Sequence, residues 1–209
     1  MLKKLGNITK ITQKREGRPA PPGQYVTAKF PVLSYEDTPK IDLATWRFRA
    51  FGLLERETIF TWQEFLAMPQ AALTRDFHCV TQWSRLDNLW EGVPFREVMQ
   101  RLQPKPEAKF VMAHCYGGYT TNLPLDVLMA DDVLFAHRHD GQPLEADHGG
   151  PLRLVVPSRY GWKSAKWVNG LEFMAQDEPG FWERMGYHMN GDPWKEQRFG
   201  FNRGGDGLF

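Results

Sequence analysis

Gly161-Trp162-Lys163-Ser164-Ala165-Lys166-Trp167 is the stretch on which the reading of this chain turns. It gathers a glycine, two lysines and a serine within a few residues, after an apolar run and Pro157. Backbone N–H groups, a hydroxyl and two ammonium groups this close together can enclose a phosphate. The turn is not a Walker loop, because the Gly-x4-Gly-Lys-Ser spacing is missing. A solvated basic turn is the plain alternative. Just upstream, Asp147-His148-Gly149-Gly150-Pro151-Leu152-Arg153 adds two glycines that let the backbone turn sharply before a strand. His148 and Arg153 can both donate to a phosphate or a polar heterocycle. A structural turn carrying a surface arginine reads equally from the residues alone.

Further outward lie three groups with chemistry of their own. In His78-Cys79-Val80-Thr81-Gln82-Trp83-Ser84, the cysteine follows an apolar strand and precedes a polar loop, so a thiolate there is presented on rigid backbone. A buried core cysteine is the commoner case. His114-Cys115 repeats the pair, but neighbouring residues on a strand face opposite ways, which disfavours a zinc site built from both pairs. The same argument turns His78 away from Cys79 and disfavours a cysteine nucleophile with an adjacent base. In Gly117-Gly118-Tyr119-Thr120-Thr121-Asn122-Leu123-Pro124, a phenol on a glycine-rich loop can reach a cleft, where a pKa near ~10 makes it a hydrogen-bond donor rather than a base.

The remaining sequence predicts a sheet-rich α+β domain. Trp46–Phe51 alternates apolar with basic as a half-buried strand does. Further strands are expected at Leu73–Val80, Ala108–Cys115, Val133–His137, Leu152–Val156 and Lys166–Phe173. Thr61-Trp62-Gln63-Glu64 is a capping box that opens a short helix. Pro94 stands at the N1 position of another, with Phe95, Val98, Met99 and Leu102 at helical spacing. A helical turn follows Pro124 at Asp126–Met129. With 8 Trp, 14 Phe, 19 Gly and 15 Pro among 209 residues, the composition fits short strands and many turns rather than a helical bundle. The polar, Pro-rich residues 1–25 read as an extended N-terminal arm, and 26–209 as one domain. A net charge of +1 gives no general attraction to nucleic acid or an anionic membrane, so any anion site is local. No stretch approaches the ~18 apolar residues of a membrane span and no signal peptide is read, which makes the cytoplasm the expected location. Two cysteines imply no disulfide framework.

Taken in order, Cys79, Gly118–Leu125, Gly141-Gln142-Pro143-Leu144, Asp147–Arg153, Val156-Pro157 and Gly161–Trp167 resemble the molybdopterin-binding domain of the sulfite oxidase family. The resemblance runs from about residue 27 to the C-terminus. It is nearest to short prokaryotic members related to the catalytic subunit of protein-methionine-sulfoxide reductase, whose pattern Gly186-Tyr187-His188…Gly191-Asp192-Pro193-Trp194-Lys195 also follows.

The resemblance implies a molybdenum–molybdopterin cofactor, with Cys79 as metal ligand. It puts Cys115 where relatives have a cofactor-contacting threonine, and His148 and Arg153 on pterin and phosphate contacts. Lys163, Ser164, Ala165 and Lys166 fall on the phosphate-binding turn, Lys29, Pro31 and Val32 loosely on a first cofactor segment, and Tyr119 on the active-site tyrosine. The expected activity is two-electron oxygen-atom transfer on a small substrate such as a sulfoxide, an N-oxide or sulfite. A non-catalytic pterin carrier on the same fold is the alternative. Where sulfite oxidases set arginines just after the cysteine, this chain has Gln82-Trp83-Ser84 before Arg85, which favours a neutral or larger substrate over a small dianion. The haem and dimerisation domains of animal sulfite oxidases are not read in the sequence. Electrons are therefore expected to pass through a separate redox partner, a haem or flavin protein.

Overall fold

A computed structural model of the chain describes residues 20–200 and the backbone of one short strand before them. Most of the expected arm at 1–25 lies outside the described residues. The strands in chain order are β1 (Thr9–Ile11), β2 (Tyr25–Val26), β3 (Arg47–Gly52), β4 (Thr58–Thr61), β5 (Ala71–His78), β6 (Trp83–Pro94), β7 (Phe110–Cys115), β8 (Thr120–Pro124), β9 (Leu134–His139), β10 (Gln142–Pro143), β11 (Arg153–Val155) and β12 (Val168–Met174). The helices are short: α1 (Trp62–Leu66), α2 (Phe95–Met99), α3 (Leu125–Leu128) and α4 (Phe181–Arg184). None of the described helices is long and apolar enough to cross a membrane.

The strands form two sheets. One runs β1-β5-β6-β9-β10, with β11 also paired to β9 and β2 to β6; the other runs β4-β3-β12-β7-β8. The expected α+β class is observed. Alternation along the strands explains how the layers meet. On β9, Phe135 enters the large core shared with Phe48, Val111, Leu171 and Phe173 of the second sheet, whereas Leu134 and Ala136 face the other way, with Phe77, Trp83 and Trp90. On β11 the same period buries Leu154 in the large core and turns Arg153 toward Phe77 and Trp90 on the opposite face. The first sheet thus has one face for stability and one for a site.

Several local expectations hold in detail. Thr61 and Glu64 form the reciprocal capping box, with the Glu64 amide donating to Thr61 Oγ1 at 3.2 Å and the Thr61 amide to Glu64 Oε2 at 2.8 Å. Pro94 sits one position earlier than expected, as the N-cap of α2. The strand expected from Lys166 begins only at Val168, because Trp167 has a φ of 53°, in the left-handed region, which breaks the extended run. Six strands lie where none was expected, β1, β2, β4, β6, β8 and β10, and the two longest among them have a physical reason. In β6, Asp87 at φ 53° and register shifts against both neighbours interrupt the alternation, and Asn88 and Gly92 take buried positions normally read from apolar residues. β8 buries Thr121 and Asn122 on opposite sides beside Leu123, so polar residues fill buried positions and the strand reads as loop.

Candidate active site

A cavity of about 340 Å³ opens on the Phe77–Trp90 face of the first sheet, and Cys79 lines it. β5 ends at His78, and the chain turns back through Cys79–Gln82 into β6. The Cys79 amide donates to the Trp83 carbonyl at 2.8 Å, the Gln82 amide to the Cys79 carbonyl at 3.1 Å, and Gln82 turns at φ 73°. Gln24 adds a bond from its side-chain amide to the same Cys79 carbonyl at 3.0 Å. The turn is therefore fixed on both backbone atoms of Cys79, and its thiol lies 3.1 Å from Thr81 Oγ1. His78 is bound elsewhere, with Nδ1 at 2.8 Å from Ser84 Oγ. His114 sits on the second sheet, 3.0 Å from Glu172. The two His-Cys pairs therefore do not converge.

Part of the same lining is cationic. Arg153 is buried; its Nη1 donates to the His148 carbonyl at 2.9 Å, while its Nε is buried with no hydrogen-bond partner among the described residues. Its guanidinium lies 4.9 Å from the Phe77 ring centroid, and burial draws its pKa down to about 10. Lys166 donates to Ser34 Oγ at 2.7 Å and to the Asp147 carbonyl at 2.6 Å; burial, then Arg153, lowers its pKa to about 7. Burial, with Arg153 and Lys166 behind it, also pulls His148 below the usual imidazole range. Three cationic or protonatable groups thus repel one another around one space, which is the electrostatic pattern of a site built for an anion. Gly149 permits the approach: its φ is 107°, and a Cβ there would sit 3.0 Å from Lys166 Cα. Gly161 permits the second turn, since a Cβ would fall 2.5 Å from the Phe77 ring.

Much of the remaining lining is aromatic. The Tyr119 hydroxyl donates to the Trp162 carbonyl at 2.6 Å, and burial raises its pKa well above the phenolic value, with Glu183 adding to the effect. Trp162 stacks on Tyr160, with centroids 5.3 Å apart and planes at 16°. Trp83, Trp182 and Tyr187 complete this side. A strap without regular secondary structure, residues 27–39, lines the cavity and inserts Phe30, whose ring lies 4.4 Å from His148 with planes 2° apart.

Of the residues expected from sequence, Cys79, Tyr119, Pro31, His148, Arg153, Ser164, Ala165 and Lys166 line this one cavity. Four do not. Lys29 and Val32 are exposed on the strap, because Phe30 takes the inward position between them. Cys115 packs in the large core, where burial raises its thiol pKa. Lys163 is the main correction: its ammonium is fully buried against Glu183 at 2.6 Å and Asn122, so the side chain is not free to hold a phosphate. Sequence reasoning missed Phe30, Ser34, Tyr35, Glu36, Trp162, Trp182 and Tyr187 as lining residues. Trp162 and Tyr187 lie within the quoted motifs, but nothing local shows that they face the cavity.

One cavity thus brings together a thiol, a buried guanidinium and a lysine, a donor set suited to a soft metal and an anionic group. Residues 35–182 match the family described as "Oxidoreductase molybdopterin binding domain", and the chain belongs to it. It is 45% identical over 191 residues to an uncharacterized oxidoreductase of Bacillus subtilis, YuiH, covering 91% of this chain and 96% of that one. It is 29% identical over 177 residues to a putative protein-methionine-sulfoxide reductase subunit of Azospira oryzae, 83% of this chain and 67% of that one. It is 26% identical to the catalytic subunit of protein-methionine-sulfoxide reductase of Ralstonia nicotianae, over 78% of this chain and 59% of that one. In fold it resembles the sulfane dehydrogenase SoxCD of Paracoccus pantotrophus, with a TM-score of 0.63 and 24% identity over 71% of this chain and 42% of that chain. The protein is an oxidoreductase of this family.

Proposed function

We propose that this oxidoreductase carries out two-electron oxygen-atom transfer on a small neutral substrate, a sulfoxide before an N-oxide or sulfite, using a molybdenum–molybdopterin cofactor. The observation that carries the cofactor reading is Arg153, a buried guanidinium whose Nε has no hydrogen-bond partner among the described residues, in the cavity that Cys79 also lines. No carboxylate among the described residues pairs with Arg153; a buried cation without a counter-ion is costly, and an anionic group between Arg153 and Lys166 would relieve it. Those two side chains, with the Ser164–Lys166 turn, would hold a phosphate; His148 would bond the pterin ring; the Cys79 thiolate would ligate the metal, for which soft sulfur is suited. When bound, the cofactor supplies the redox chemistry, and the chain supplies binding, orientation and field.

The preference for a neutral substrate rests on Arg85 and the aromatic wall. Arg85 is the first arginine after Cys79, and its guanidinium is already engaged by Asn88, His139 and Asp140, with Nε on the Ala28 carbonyl at 3.3 Å. It is not free to hold a small dianion. Trp83, Trp162, Trp182 and Tyr187 instead offer apolar surface. Tyr119 has its proton committed to the Trp162 carbonyl, which orients the phenol oxygen beside the substrate space. Electrons would pass through a separate haem or flavin partner.

The test is molybdenum by elemental mass spectrometry and pterin by fluorescence after oxidation, on protein from a host that makes the cofactor, followed by reduced-dye assays with dialkyl sulfoxide, N-oxide and sulfite. Near-stoichiometric metal and pterin with sulfoxide turnover is expected. A folded protein with neither metal nor pterin sinks the cofactor assignment. A loaded protein that turns over sulfite and not sulfoxide sinks the substrate preference alone.

A further inference from the structure

Beneath the aromatic wall lies a buried polar network that the proposed chemistry does not use. The three protons of the Lys163 ammonium have three acceptors: Glu183 Oε1 at 2.6 Å, the Asn122 carbonyl at 2.8 Å and Asn122 Oδ1 at 2.7 Å. Glu183 Oε1 also accepts from Trp162 Nε1 at 2.8 Å and from Thr121 Oγ1 at 3.2 Å. Both side chains of the ion pair are completely buried. Charges are not buried without reason, since an apolar pair of similar volume is often as stable or more so. What this pair does on the page is geometric. Trp162 lines the cavity, and its indole N–H is held by the carboxylate of α4; its carbonyl takes the Tyr119 proton; and the next residue, Lys163, is anchored to the same carboxylate. Phe181 and Trp182, just before Glu183, face the same region, with Phe181 5.9 Å from Tyr119 and Trp182 in the cavity wall.

We infer that Glu183, charge-balanced by Lys163, is a positioning residue that holds the Trp162 indole as the substrate-side wall, so that the size selectivity of the cavity depends on this buried pair. The inference rests on the proposed activity only for its selectivity part. Glu183 touches neither substrate nor cofactor; it acts through Trp162. An indole held at its N–H by a buried carboxylate and stacked on Tyr160 keeps one orientation, and a fixed apolar wall discriminates substrates by volume, on the order of tenfold per added group.

Removing Glu183 alone leaves a buried ammonium and endangers folding, so the test uses paired variants. Lys163→Met with Glu183→Gln removes both charges and retains an acceptor for Trp162 Nε1. Lys163→Met with Glu183→Leu removes the acceptor as well. The holoprotein is labelled with 5-fluorotryptophan, and the Trp162 resonance is assigned by Trp162→Phe. Molybdenum and pterin contents are measured on every variant. Turnover is compared for dimethyl sulfoxide and a methyl aryl sulfoxide. The expected result is a Trp162 resonance near the parent's in the Gln pair and a shifted or broadened one in the Leu pair. The ratio of kcat/KM for the two sulfoxides should move roughly tenfold in the Leu pair and little in the Gln pair. An unmoved Trp162 resonance in the Leu pair, or equal changes in both pairs, overturns the inference. No sulfoxide turnover in the loaded parent overturns the substrate reading instead, and the fluorine resonance still decides the positioning.

Discussion

At the scale of single residues, the cavity brings one thiol together with a cluster of cations, and each makes a separate prediction. Cys79→Ser keeps the turn, because the bonds that fix it run through the Cys79 backbone, yet it replaces the soft ligand. Its thermal midpoint is expected within a few degrees of the parent's, with sulfoxide turnover lost; a Ser variant at full activity would falsify the ligand assignment. In the cation cluster, burial and then Arg153 disfavour the Lys166 ammonium and lower its pKa to about 7. Arg153, His148 and Asp147 are the groups that face it, and the first two are depressed in the same way. An anion binds better when Lys166 is charged, so affinity falls as pH rises through about 7. Sulfate, whose charge is constant across this range, is the suitable probe. Calorimetry on cofactor-free protein is expected to give weaker binding at pH 8.5 than at pH 6, and Lys166→Met should flatten the dependence; a slope of the opposite sign contradicts the cluster's role. Much of this cluster was legible in the sequence, since Gly149, Ser164 and Lys166 sit in local turns and Arg153 opens the strand that follows one of them. Lys163 was not legible. Whether a lysine beside a phosphate turn faces the ligand or a buried carboxylate is decided by Glu183, twenty residues away.

At the scale of elements, legibility followed the alternation of apolar and polar residues. β3, β5, β7 and β9 alternate or run apolar and were expected with modest boundary errors. β6 and β8 were missed because buried Asn88, Thr121 and Asn122 satisfy their side chains through long-range bonds such as Asn122 to Asp177 at 2.6 Å, which no local pattern reveals. The glycine in the turn after β11 and the cap of α1 make a contrasting pair of tests. Gly161→Ala drives a methyl into the Phe77 ring at 2.5 Å, and Phe77 is stacked on Trp83 in the cavity wall. Overpacking of this kind costs about 1–3 kcal/mol, or roughly 3–10 °C in Tm at this chain length. Thr61→Ala removes the capping box of α1 at a cost of about 1 kcal/mol. Both variants should melt earlier. Only Gly161→Ala should also lose molybdenum and pterin, because α1 packs against β3 and β4, away from the cavity. Equal cofactor loss in both would mean that loading reports stability rather than the shape of the site.

For the whole molecule, the division of the first sheet into a core face and a site face sets where it is firm and where it yields. Phe135, Phe48, Val111 and Phe173 join the two sheets in a continuous core, and the amides of β3, β7 and β12 lie in ladders closed on both sides. These should open only with global unfolding. The strap at 27–39 is tied differently. Beyond Thr27, whose amide donates to Ser84, its bonds are mainly side-chain ones: Ser34 to Lys166 at 2.7 Å, Tyr35 to the Gly117 carbonyl at 3.2 Å and Thr38 to Asp147 at 2.5 Å. Few backbone bonds and exposed Val32, Leu33 and Tyr35 put it at the low end of local stability. Its inner residues, Phe30 and Ser34 among them, line the cavity, so a ligand filling that space adds contacts to the strap and none to the ladders. Hydrogen exchange read by mass spectrometry, on loaded and cofactor-free protein, is therefore expected to show strap amides gaining protection on loading, while β3, β7 and β12 exchange at the same slow rate in both. Protection that rises uniformly across both sheets would instead mean that the cofactor stabilises the global fold, and the separation of a stability face from a site face would not hold.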